Sequence, residues 1–361
     1  MKSAPVRQPL TTIQAGRGVA SLLVVLFHLT KTIFNTPQYW PQGILGNVFL
    51  FGHAGVNFFF VLSGFIIFHA HASDLGKPEL LGRYAWRRAT RIYPPYLLVL
   101  AVIVVAYAMI PSLNTAPPTP TELTASILLV GPNDRPPLAV AWTLFHEIAF
   151  YAVFAVAIIN VRAGVIVGAI WALACAVSLF TPWKEAYPLN PLNLLFGFGI
   201  VARILVDRQI PGAVWLAGVG AALFIGLGLE EVYHPIFTGE VRHLLYGAAS
   251  FLLIVGMARA EFSGRMSAPK WLTFLGDASF SIYLVHYPAL SVFAKVFTKL
   301  PLPPIVSFGF MAIGCLAAGS VFYLVVEKPL VRLLNPKTAK PGDRDAPAPL
   351  DRGAAATSEP G

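Results

Sequence analysis

A few ionisable and hydroxyl side chains stand inside otherwise apolar stretches of this sequence, and their spacing is that of general acid–base chemistry. In "IQAGRGVASLLVVLFHLT", Arg17 and His28 are eleven residues apart. Eleven helical steps of about 100° return to nearly the same face, about 16 Å further along. An Arg near one membrane surface thus shares a stripe with a deeper His. The stripe reads either as a site or as a snorkelling Arg with a packed, neutral His. "AWTLFHEIAFY" carries His146 and Glu147 about 13 Å below the outer end of its helix. A carboxylate at that depth is costly, so function is the stronger reading and a buried salt bridge the weaker.

Three further stretches carry polar groups. "GHAGVNFFFVLSGF" contains His53, Asn57 and Ser63; its glycines and Ser63 read best as small-residue helix packing. "LGDASFSIYLVHYP" sets Ser279, Tyr283 and His286 at i, i+4, i+7, a polar stripe that serves either a cavity or interhelical hydrogen bonding. "RYAWRRATRIYPPY" carries Arg83, Arg87, Arg88 and Arg91, with Lys77 just before. Arg88 and Arg91, at i, i+3, share a face and can fork phosphate oxygens. Composition alone favours a plain cytoplasmic anchor on anionic headgroups. Glu327, in "VVEKP", reads as interfacial charge balance. His28, Asn57, Glu147 and His286 come from four helices at similar depth, which is tolerable only if they face one inward cavity above a basic site.

The elements that position these groups must be membrane helices. The 361 residues are 56% hydrophobic and 12% charged, with mean hydropathy +0.68; soluble domains carry about 25% charged residues. A soluble enzyme, a disordered chain and a disulfide scaffold are excluded, the two cysteines (Cys175, Cys315) both lying in apolar runs. Ten stretches predict spans: 13–34, 48–70, 93–111, 138–160, 163–181, 190–206, 211–229, 241–258, 272–298 and 303–327, the sixth being short. The runs are continuously apolar, so helices rather than a barrel cross the membrane. Nineteen of the 26 Lys and Arg fall on one side of this ten-span arrangement and six on the other, which places both termini in the cytoplasm. The net charge of +9 is therefore topological and calls for no nucleic acid. No cleavable signal peptide is evident. The expected organisation is an all-α polytopic membrane bundle over 1–334 and a disordered cytoplasmic tail over 335–361. The outer loop 112–137 is Pro-rich with a short apolar piece, Leu123–Val130.

In this order the residues resemble the acyltransferase-3 family of bacterial membrane acyltransferases, which O-acylate carbohydrates. The resemblance covers about residues 10–332. It rests on Arg17 and His28 of the first helix; on Gly55, Val56 and Asn57, then Phe59 through Phe65, where the family's acid is replaced by Asn57; on Arg88, Arg91, Ile92, Pro94 and Tyr96; on Trp142, Thr143, Leu144, Glu147 and Tyr151; and on Ser279, Ser281, Tyr283 and His286. The chain resembles the stand-alone form, without a C-terminal esterase-like domain. The resemblance implies an acyl-CoA co-substrate, commonly acetyl-CoA, entering from the cytoplasm, with no permanently bound cofactor or metal. Arg87, Arg88 and Arg91 would clamp its phosphates. His28 would act as general base or transient acyl carrier, with Glu147 orienting it or stabilising its cationic form and Arg17 as the third catalytic residue, on the stripe along which the donor's arm would thread. Asn57, Ser279, Tyr283 and His286 would line or support the cavity. The acceptor would be a carbohydrate or glycolipid, and the location a bacterial inner membrane. The competing class is a secondary transporter or channel with a His/Glu proton relay, against which stands the lack of internal repeats.

Overall fold

The computed structural model describes residues 10–36, 47–110, 117–131, 136–208 and 210–335. All regular structure among them is helical. The helices are α1 (Thr11–His28), α2 (Gly55–His71), α3 (Leu81–Met109), α4 (Pro120–Leu128), α5 (Trp142–Ile159), α6 (Val161–Val177), α7 (Leu194–Asp207), α8 (Leu216–Tyr233), α9 (Gly239–Phe262), α10 (Lys270–Asp277), α11 (Ser279–Phe297), α12 (Pro304–Phe322) and α13 (Lys328–Leu334). Two π-helical turns extend this set: Leu29–Phe34 continues α1, and Tyr323–Glu327 joins α12 to α13.

Among the described residues, nine helical runs are long and apolar enough to cross a membrane. The short sixth span is α7, only 14 residues. Packing shows that it crosses nonetheless. Arg17 and His28 of α1 meet Ser279 and His286 of α11 in the same order, so these helices run parallel. α7 likewise runs parallel to α2: Phe60 stacks on Phe196, and His69 meets Arg203. These directions require an odd number of crossings between α1 and α11, and therefore require α7 as one of them. Ten crossings follow, with residues 10 and 335 at the same end of the bundle. That end also carries Lys77, Arg83, Arg87, Arg88, Arg162, Arg208, Arg265 and Arg332, and is called the basic end below.

Three expected boundaries move. α3 begins at Leu81, well before the expected residue 93, so Arg83, Arg87, Arg88 and Arg91 stand on the spanning helix itself. The ninth span breaks at Ala278: α10 lies across the start of α1, and only α11 rises through the bundle. The apolar piece of the 112–137 loop becomes α4, closed by a Thr119–Glu122 capping box. It is fastened to the middle of α3 by Tyr93 and Tyr96, whose hydroxyls donate to the carbonyls of Leu128 and Ser126. The tail expected after residue 335 and the basic groups Lys2, Arg7, Arg135, Lys337, Lys340, Arg344 and Arg352 lie outside the described residues.

Large apolar side chains face outward, as a bilayer requires: Val165, Ile170 and Leu173 of α6 are 65%, 63% and 65% exposed. Trp86, Trp215 and Trp271 are exposed at the basic end and Phe180, Trp183 and Tyr233 at the other, as aromatic belts would be. The interior is closed by very near backbone approach. A Cβ on Gly199 would lie 1.9 Å from the Val61 carbonyl, and one on Gly64 would lie 2.0 Å from that of Phe196. Only glycine lets α2 and α7 touch this closely. The contact fixes the rotation of α2, and with it the direction of Ser63.

Candidate active site

Of the polar groups expected to share one cavity, Glu147 and His28 line two different ones, and Asn57 and His286 line neither. At mid-depth lies a cavity of about 900 Å³, its open mouth included. α1, α2, α3, α5 and α11 bring Arg17, Ser63, Arg88, Arg91, Glu147 and Tyr283 to it. Arg17, Arg88 and Arg91 also line a basic vestibule that continues it toward the basic end, together with Gln14, Arg87 and Asp277. Nearer the opposite end a second pocket holds His28 with Phe27, Lys31, Thr32, Val140, Trp142 and Tyr287.

Between cavity and pocket stand Thr143 and Tyr283. The Tyr283 hydroxyl donates to the Val140 carbonyl at 3.0 Å, and Thr143 Oγ1 lies 3.1 Å from that hydroxyl. Both side chains face the cavity, whereas Val140 and the adjacent Trp142 face the pocket.

In the lower cavity Glu147 accepts hydrogen bonds from Tyr151 and, at 3.3 Å, from Ser63. Ser63 is thus a site-facing hydroxyl, while the neighbouring glycines do the packing. Arg17 donates to Ser279 Oγ from Nε (3.2 Å) and Nη2 (2.9 Å), and to Gln14 from Nη1 (3.1 Å). Arg88 lies over the Tyr151 ring at 5.9 Å. Its Nε is buried without a hydrogen-bond partner among the described residues. Arg91 is committed elsewhere: it pairs with Glu327, which also accepts from Ser281 at 2.5 Å. Glu327 is fully buried, not interfacial. The π turn 323–327 and α13 turn it into the bundle. Arg87 is exposed at the vestibule, and Arg83 leans 3.7 Å from Asp74, outside both cavities.

The expected pairing of Glu147 with His28 is not made. His28 packs on His286 instead, Nδ1 to Nε2 at 3.2 Å. Their protons are fixed by the backbone. Carbonyl oxygens only accept, and His286 Nδ1 lies 3.1 Å from the Ile282 carbonyl while His28 Nδ1 lies 3.0 Å from that of Val24. Both Nδ1 atoms therefore carry hydrogen. His286 Nε2 is left accepting from His28, and His28 Nε2 keeps its lone pair. The π turn begins immediately after His28, and the freed His28 carbonyl accepts from Thr32 Oγ1 at 2.5 Å. π segments are frequent at functional sites.

Asn57 is buried and makes its hydrogen bonds to His243 rather than to His28. It donates to the His243 carbonyl at 2.9 Å. His146 is a satisfied interior His bonded to Asn193 at 2.9 Å. Sequence reasoning also missed a network at the far end: Glu231 holds His53 (2.9 Å), Arg242 (3.0 Å) and Tyr246 (2.8 Å). An acid closing one apolar helix, followed by Arg and His opening the next, was the available signal.

A family model described as an acyltransferase domain matches residues 10–324. The chain belongs to this family of membrane acyltransferases. Among curated proteins it is 33% identical over 305 residues to the exopolysaccharide production protein ExoZ of Rhizobium meliloti (strain 1021), covering 80% of this chain and 92% of that protein. It is 27% identical to the acyltransferase MdmB of Streptomyces mycarofaciens, over 88% and 91% of the two chains. It is 22% identical to the peptidoglycan O-acetyltransferase OatA of Listeria monocytogenes, over 80% of this chain and 51% of OatA. No solved structure matches.

Proposed function

We propose that this protein transfers an acyl group, in the simplest case acetyl, from acyl-CoA at the cytoplasmic face to a carbohydrate or glycolipid hydroxyl at the other face of a bacterial inner membrane. The observation carrying this reading is the pair of cavities back to back across Thr143 and Tyr283, one continuous with a basic vestibule and the other holding His28. The excess of Lys and Arg makes the vestibule end cytoplasmic. CoA is polyanionic. Arg87 and Arg88, neither of which pairs with a carboxylate among the described residues, suit its phosphates. Arg17 and Glu147 line the path of the pantetheine arm. The relatives named for exopolysaccharide production and peptidoglycan O-acetylation support a carbohydrate acceptor and an acetyl donor.

The chemistry follows from the His28 tautomer. Its Nε2 lone pair takes the proton from the acceptor hydroxyl as that oxygen bonds to the thioester carbonyl carbon. The C–S bond then breaks, and the CoA thiolate recovers the proton from His28. The Val24 carbonyl holds the Nδ1–H tautomer, and His286 Nε2, sharing that hydrogen at 3.2 Å, fixes the orientation of the ring, part of what a carboxylate does in a triad. Glu147, which lines the other cavity and bonds to Ser63 and Tyr151, serves the donor side as a hydrogen-bond acceptor. For reaction, Thr143 and Tyr283 must part so that the thioester reaches His28.

In membranes given labelled acetyl-CoA, His28→Ala at normal expression is expected to lose at least about 100-fold in transfer; retained activity would remove His28 from the chemistry. Arg87→Ala with Arg88→Ala is expected to raise the acetyl-CoA KM strongly. An unchanged KM would leave these arginines a topological role only.

A further inference from the structure

The pocket around His28 has a composition that the acyl donor does not explain. Of the eight described residues that line it, three are aromatic (Phe27, Trp142, Tyr287), one is cationic (Lys31) and none is acidic. It measures about 450 Å³ out to its mouth and lies on the side of Thr143 and Tyr283 away from the basic vestibule. Trp142 is 39% exposed, although it opens a helix whose next four residues are buried. The rings against it, Phe60 and His146, meet it edge-to-face at interplanar angles of 77° and 86°. Tyr287 is held the same way, at 85° to His28 and 86° to His286. No described ring lies flat on either one. Lys31 extends over the Phe27 ring, its Nζ 5.4 Å from the centroid, which keeps an ammonium at the pocket.

From these placements we infer that the pocket is the acceptor site, built for an anionic sugar, with a pyranose face against Trp142 and an acidic substituent against Lys31. This deepens the function proposed above and rests on it. A pyranose presents axial C–H bonds on its faces. Their slight positive charge suits the negative face of an indole, and the flat contact also removes apolar area from water. A ring seated there brings its hydroxyls beside His28, whose Nε2 lone pair is the base. Lys31 is the one charged residue among the described residues lining the pocket, and its compact ammonium attracts a carboxylate or phosphate ester without requiring forked geometry. Sugar carboxylates and sugar phosphates share this chemistry. Phe27 also connects the pocket to the far-end network, being edge-to-face with both His28 (4.9 Å) and His53 (5.5 Å).

The test is binding to the detergent-purified full-length chain, measured calorimetrically with three probes: an oligoglucuronate, glucose 6-phosphate and neutral maltotetraose. Acetyl-CoA binding is measured in parallel. The wild type is expected to bind the glucuronate or the phosphate at least tenfold more tightly than maltotetraose, and the tighter of the two names the acid. Lys31→Gln is expected to erase that preference and leave maltotetraose binding alone. Trp142→Leu is expected to weaken all saccharides at least tenfold. Neither variant should alter acetyl-CoA binding, which depends on the opposite end of the bundle. Saccharide binding that ignores both substitutions, or a wild type that binds none of the three, overturns the site while acetyl-CoA binding persists. Loss of acetyl-CoA binding in the wild type would instead overturn the function on which the site rests.

Discussion

His28 and His286 lie 3.2 Å apart, and no carboxylate among the described residues bonds to either, so a neutral ring orients a neutral base. His286→Ala is expected to lower kcat by about tenfold or more, about 1.4 kcal/mol in the barrier, with the acyl-CoA KM unchanged. His286→Gln, whose amide oxygen can accept from His28 Nδ1, is expected to restore part of the loss. Equal loss in both variants would make His286 a packing residue only. Glu327 acts on the donor side through Arg91. Glu327→Gln leaves a half-buried guanidinium without its counter-charge and is expected to cost about 1–3 kcal/mol of stability in thermal unfolding. It is also expected to shift the acyl-CoA KM more than kcat; a kcat loss at constant KM would contradict that placement. The Arg17–His28 stripe was legible in the sequence because both residues sit on one helix, where periodicity fixes the geometry. The partner of His28 was not, because it depends on the rotation of α5 and α11 about their own axes. That rotation is set by cross-helix packing, which leaves no local pattern. Glu327 was misplaced for a related reason: falling hydropathy marks where a span ends, not whether a π turn carries the side chain inward.

At the scale of elements, the two-cavity arrangement depends on α2 facing α5 with Ser63 and α7 with Gly64. Gly199→Leu would force a side chain into the Val61 carbonyl, and α2 would have to move off α7. The expected result is a fall of about 1–3 kcal/mol or more in stability, with loss of transfer activity in whatever folds. A fully active, equally stable variant would show that this contact does not set the site. Apart from the start of α3, which lies at Leu81 rather than near residue 93, span boundaries followed the sequence closely wherever hydropathy alone decides them. They failed at Ala278, where one apolar run is two helices, because the break comes from α10 lying across α1 rather than from a helix-breaking residue.

For the molecule as a whole, ten crossings put residues 10 and 335 at one end and Trp183 and His234 at the other. Cysteines introduced at Arg208 and Arg265 are expected to react with a membrane-impermeant thiol reagent only in inside-out vesicles. Cysteines at Trp183 and His234 are expected to react only in right-side-out ones. Labelling of positions 183, 208 and 265 from one side and 234 from the other would remove α7 as a crossing. The central claim is transfer across the membrane through a base on the far side of the Thr143–Tyr283 barrier. Its most direct test uses proteoliposomes sorted by orientation, with labelled acetyl-CoA supplied to one face and an acceptor oligosaccharide to the other. The expected result is acylated saccharide only when acetyl-CoA meets the basic end, abolished by His28→Ala. Transfer that is undiminished in His28→Ala, or that requires acetyl-CoA at the opposite end, would contradict it.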